Sequence, residues 1–124
     1  MAPTTYPELV RKAWPVFLEA VRMGRTVSYS ELAGRAGPPL HHRHIHRQLL
    51  VPLSARCRLC GLPDLAALVV RKDTGMPGAG WYVDAPGGDP DAAWADAVLA
   101  CLRHQWPGRP APCLLKATPV ELAP

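Results

Sequence analysis

The sequence predicts an α+β, mainly helical domain: three helices, a β-hairpin and one further helix near the C-terminus. Three observations predict it. Thr5-x-x-Glu8 and Ser28-x-x-Glu31 each have the spacing of a helix capping box and each precedes apolar residues at helical intervals. Two short apolar runs, Leu65–Val70 and Trp81–Val83, flank the Gly- and Pro-rich stretch Asp73–Gly80, as the strands of a hairpin flank its turn. A chain of 124 residues with 48% hydrophobic and 19% charged side chains suits one core, and its 15 Pro and 10 Gly imply short elements and rigid turns.

The first helix starts with Thr5 as its cap, repeats Val10, Trp14, Phe17 and Val21 on one face, and stops at Gly24. Pro15 lies inside it, so a kink is expected there. Helix two opens at the Ser28 box, carries Leu32, Ala33 and Ala36, and closes at Gly37. Pro38 and Pro39 suit the entry to helix three, expected from about Leu40 to Leu53; Ile45 and Leu49 share its inner face while Arg43 and Arg47 point outward. Ser54–Leu62 shows no clear period and reads as a loop. After the hairpin, Asp89-Pro90-Asp91 opens a last helix whose inner stripe is Trp94, Val98, Cys101, Leu102 and Gln105, ended by Pro107. Residues 1–107 form the expected domain, and 108–124, with four prolines, form an extended or loosely packed tail. Three helices followed by a hairpin is the order of a winged helix-turn-helix.

No stretch is apolar for the ~20 residues needed to cross a bilayer, and the N-terminus has no basic start followed by an apolar run, so a soluble cytoplasmic protein is expected. The net charge is +4, distributed unevenly: residues 1–83 carry eleven basic and five acidic side chains, 84–124 three and five. Between Glu31 and Asp64 there is no acid, and that 32-residue gap holds Arg35, Arg43, Arg47, Arg56 and Arg58 with four histidines, a pattern suited to a polyanion.

The run Gly24-Arg25-Thr26-Val27-Ser28-Tyr29-Ser30-Glu31-Leu32-Ala33-Gly34-Arg35-Ala36-Gly37, followed by Pro39 and Arg43, resembles the DNA-binding domain of O6-alkylguanine-DNA alkyltransferases and the alkyltransferase-like proteins. The resemblance implies a winged helix that binds double-stranded DNA, with Tyr29 approaching the backbone and Arg43 filling the gap left by a flipped base. An inserted guanidinium can stack and hydrogen-bond where a base has left. Where that family has its reactive P-C-H-R-V, this chain has Leu65-Ala66-Ala67-Leu68-Val69, so Ala66 takes the place of the acceptor thiol and self-alkylation is excluded there. Binding without repair, as in the alkyltransferase-like group, remains. The family also inserts small residues into the minor groove, whereas His42, His44, His46 and Arg47 are bulky.

The expected function is therefore non-enzymatic DNA binding through Tyr29, Arg43, His44 and Arg47, with Arg71 and Lys72 on the wing and no cofactor. Two alternatives stand beside it. A winged-helix interaction or regulatory module would bind a protein partner through exposed aromatics such as Trp81 and Trp106. A zinc protein would use Cys57 and Cys60, completed by Cys101 and His104. Cys101 falls on the buried stripe and no secretion signal supports a disulfide, so four reduced thiols are expected. His42 and His46, four apart, have ligand spacing but fit plain helix surface as well.

Overall fold

The computed structural model describes residues 5–78 and 89–116. Helix α1 spans Tyr6–Met23 and buries Leu9, Val10, Ala13, Trp14, Val16, Phe17 and Ala20 along one face. Thr5 occupies the cap position in extended conformation, but its side chain makes no cap hydrogen bond. Gly24 ends the helix at φ 64, in the left-handed region that a residue without Cβ enters most easily. The helix runs unbroken through Pro15, which sits on the exposed side. The carbonyl of Arg11, deprived of its donor there, faces the same exposed side, where water can serve it.

Strand β1 is Val27–Ser28, and α2, Tyr29–Ala36, follows at once. The Ser28 hydroxyl accepts from the Glu31 N–H at 3.1 Å, as the sequence spacing required. The Glu31 carboxylate does not complete a reciprocal box; it takes two hydrogen bonds from Arg25, at 3.3 and 3.1 Å.

The third helix differs from expectation at both ends. Residues 42–44 form a turn, His46–Leu50 a π-helical turn, and only Val51–Leu59 is α-helix, here α3. Pro52 explains the widened turn: it has no N–H to offer the Gln48 carbonyl, and its ring crowds that group. The expected loop from Ser54 is helix because Leu53, Arg56 and Cys57 all face inward. An arginine at an inward position hides the period from a hydropathy reading. Gly61, at φ 69, closes α3 with the Leu62 N–H returning to the Cys57 carbonyl at 2.8 Å.

Among the described residues the expected hairpin is replaced by a parallel pairing. Leu65–Leu68 is a 3₁₀ turn capped by Asp64, whose carboxylate accepts from Ala66 N–H. Strand β2 is Val69–Val70, and it pairs parallel with β1, Val27 beside Val69 and Ser28 beside Val70. Leu65, Ala67, Leu68, Val69 and Val70 are all buried, and a continuously apolar run carries no period to tell strand from buried turn. Trp81–Val83, expected as the second hairpin strand, lies outside the described residues.

Helix α4, Pro90–Arg103, starts at Asp89, whose carboxylate accepts from the Asp91 and Ala92 N–H groups. Cys101 is fully buried, Trp94, Val98 and Leu102 are half-buried, and Gln105 is exposed, so it leaves the expected stripe. The tail is not loose up to Lys116: Pro112–Leu115 forms a short helix, α5, with Leu114 fully buried in the core. The result is a mainly helical domain in which α1 packs against α2, the π turn, α4 and α5, and a two-stranded parallel sheet lies at the α2 side.

Candidate nucleic-acid interface

The expected interface residues separate into three groups. Arg43 and His44 lie on the turn before α3 and Arg47 on the π turn, all exposed. The turn is shaped by Gln48, whose amide accepts from His41 N–H at 3.3 Å and donates to the Pro39 carbonyl at 3.2 Å. His41 Nδ1 accepts from Arg43 N–H at 3.1 Å. Its ring stacks on His42 at 4.4 Å between centroids and meets His44 at 5.6 Å. Partial desolvation, then His42, His44 and Arg43, hold the His41 imidazole below its usual pKa and keep it neutral at pH 7. Ile45 and Leu49 are buried beneath, so Arg43 and Arg47 are held outward by the packing of their neighbours.

Tyr29 is the first residue of α2. Its ring is half-buried against the core, and its hydroxyl accepts from the Gly78 N–H at 3.1 Å. Only the hydroxyl hydrogen remains to be donated elsewhere. A Cβ at Gly78 would stand 2.5 Å from that oxygen, so glycine is required for the contact. The phenol thus ties the start of α2 to the segment after β2.

Arg71 and Lys72 follow β2 in a turn closed by Arg71 N–H to the Met76 carbonyl, 2.8 Å, and Gly75 N–H to the Arg71 carbonyl, 2.8 Å. Arg71 spends its guanidinium on Asp73, at 3.1 and 2.9 Å, whereas Lys72 is exposed with no ion pair among the described residues.

The remaining cations of the acid-free stretch divide similarly. Arg35 pairs with Glu19 and Glu31, and Arg25 joins the same carboxylates to link α1 to α2. The Arg25 hydrogen bonds, against some desolvation, hold Glu31 below its ordinary pKa. Arg56 is 2% exposed, with its guanidinium 3.6 Å from the centre of the Tyr6 ring. It donates to the Pro52 and Lys116 carbonyls, each at 2.9 Å. Burial lowers its pKa and Tyr6 partly offsets that, yet an arginine stays charged. Arg56 is therefore a core strut, and Arg43, Arg47 and Arg58 are the exposed arginines of this stretch without an ion pair among the described residues.

Cys60 is bonded to Cys113, which corrects the expectation of four free thiols and removes one of the two cysteines a zinc site needed. Among the described residues no group of three or more His, Cys, Asp or Glu side chains is placed to hold a metal ion. Trp106 is half-buried, donating to the Cys101 carbonyl at 2.9 Å and meeting Trp14 edge-on, so it is not the free aromatic surface expected. Trp81 lies outside the described residues. Ala66 stands half-buried in the 3₁₀ turn, with Trp94 donating to the neighbouring Ala67 carbonyl at 2.8 Å. No helix among the described residues is long and apolar enough to cross a membrane. The chain matches no family model, no curated protein and no solved structure.

Sequence reasoning missed Arg56, Gly78 and the Cys60–Cys113 bond. Only Gly78 left a local signal, a glycine beside Pro77 where turn chemistry was already expected. The other two depend on contacts across 60 and 53 residues.

Proposed function

We propose that this chain is a non-enzymatic DNA-binding protein of alkyltransferase-like type that docks its His41–Arg47 turn on duplex DNA. One observation carries the reading: Arg43 and Arg47 are exposed, without ion pairs among the described residues, on a turn whose neighbours add imidazoles and no acid. Phosphate contacts need cations that are not already spent, and four other arginines are spent, Arg25 and Arg35 on Glu19 and Glu31, Arg71 on Asp73 and Arg56 in the core. Arg43 is the candidate to replace an extruded base, and Arg47 and Lys72 contact phosphates. Tyr29 is assigned a positioning role, because its hydroxyl holds the Gly78 segment. Ala66 offers a methyl group where an acceptor sulfur would be needed, so alkylated DNA is bound and left unaltered.

The test is a salt-titrated binding assay on matched duplexes with and without one O6-alkylguanine. Binding is expected to weaken with salt at a slope of about three phosphate contacts, with protein mass unchanged after exposure to alkylated DNA. No binding at ~50 mM salt, or binding indifferent to salt, overturns the reading in favour of a protein partner.

A further inference from the structure

The disulfide joins the end of α3 to α5, and its two cysteines are unequally exposed: Cys113 is an exposed residue and Cys60 a half-buried one. Arg58 and Lys116 lie two and three residues from these cysteines and are both exposed, while the nearest acid in sequence, Asp64, is four residues from Cys60 and half-buried. We propose that this bond is a thiol-exchange site for a small anionic thiol of the glutathione type, which is taken up at Cys113 and unlatches the C-terminal segment.

The step needs no oxidant. The incoming thiolate attacks Cys113 Sγ and forms a new S–S bond; the Cys60–Cys113 bond breaks, and Cys60 leaves as a thiolate that takes a proton from water. One disulfide replaces another. Exposure selects Cys113 as the attacked sulfur, and the basic neighbours favour an anionic attacker and a thiolate leaving group. Cys57 and Cys101 take no part, because both are fully buried. Burial also pushes the Cys57 thiol up to about 12, so it is not a thiolate at neutral pH.

What the exchange releases is limited in attachment. Segment 107–116 keeps the buried Leu114, the Trp14 N–H bond to the Pro107 carbonyl at 3.0 Å and the Arg56 bond to the Lys116 carbonyl. Between it and α1 lies a cleft of about 500 Å³ lined by Arg11, Trp14, Pro15, Arg109 and Leu115, so the segment is incompletely packed on that side.

The experiment treats the full native chain with reduced glutathione at neutral pH, quenches with acid, and reads intact mass, peptide map and amide hydrogen exchange. Expected are one glutathionyl group on Cys113, one newly alkylatable thiol at Cys60, unmodified Cys57 and Cys101, and exchange at the Leu114 amide faster by roughly tenfold or more. Cys113→Ser should take up no glutathione and show the faster exchange without it. Four titratable thiols in the purified protein overturn the proposal, as does an adduct confined to unfolded chain, an adduct on Cys60, or an adduct with no change in exchange. The readouts are independent of DNA binding.

Discussion

Arg43 and Arg47 are both exposed, but one lies in a turn and the other in the π turn that follows, so their side chains are offered from different backbones. Arg47→Ala is expected to weaken binding equally on every duplex and to reduce the salt slope by about one contact. Arg43→Ala should cost more on a duplex with a damaged or mismatched base, on the order of 1–3 kcal/mol, because a weakened pair lowers the cost of extrusion and lets the intercalated arginine contribute fully. Equal losses on all duplexes in a binding titration would reduce Arg43 to a phosphate contact. Arg56 obeys opposite rules. Removing it leaves the Pro52 and Lys116 carbonyls without their donor and a void over the Tyr6 ring. Arg56→Ala should therefore lower stability by roughly 2–4 kcal/mol in a denaturant titration while DNA affinity of the folded protein is unchanged. From sequence alone Arg43, Arg47 and Arg56 look alike, since charge counts do not register burial. The outward direction of Arg43 and Arg47 was legible only because Ile45 and Leu49 share their segment.

At the scale of elements, legibility followed local signals. The α2 cap at Ser28, the Gly24 stop and the Asp89 cap are short-range hydrogen-bond and dihedral effects, and residues a few positions apart reveal them. The parallel pairing of β1 with β2 joins Val27 to Val69, and nothing near either valine announces it. The same holds for Tyr29 and Gly78, 49 residues apart. That contact makes a prediction through a double-mutant cycle. Tyr29→Phe removes the acceptor of the Gly78 N–H and should cost about 1 kcal/mol. Gly78→Ala forces a methyl against the phenol oxygen and should cost about 1–3 kcal/mol. In the double mutant the oxygen is gone and the methyl's nearest neighbour is the ring Cζ at 3.3 Å, a tight contact in place of a clash, so the combined loss should be smaller than the sum of the single losses. Strict additivity in thermal or chemical unfolding would mean that the two residues do not touch in solution.

For the whole molecule, the positive first two thirds and the single core were legible from composition, whereas the way the chain closes was not. A hydropathy reading sees the sequence from Gly108 onward only as proline-rich, although Leu114 is fully buried and Cys113 is covalently joined to Cys60. That bond has a thermodynamic consequence distinct from its exchange chemistry. It links residues 53 apart, and confining a loop of that length in the unfolded chain removes entropy worth about 4 kcal/mol of folded-state stability. For a domain of 124 residues such a loss corresponds to a fall in Tm of roughly 10–20 °C. Cys113→Ser and Cys60→Ser should give the same loss, because either removes the same cross-link, and a reducing agent should give it in the unmodified chain. The Cys60→Ser/Cys113→Ser double variant should lose no more than either single variant. Cys57→Ser makes the contrast: it cuts no cross-link but places a hydroxyl where a buried thiol packs, so its cost should persist under reducing conditions, whereas the cost of Cys113→Ser relative to the unmodified chain should vanish there. Unfolding midpoints measured with and without reductant on these variants decide the matter, and equal midpoints for oxidised and reduced unmodified chain would show that the link does not constrain the unfolded state.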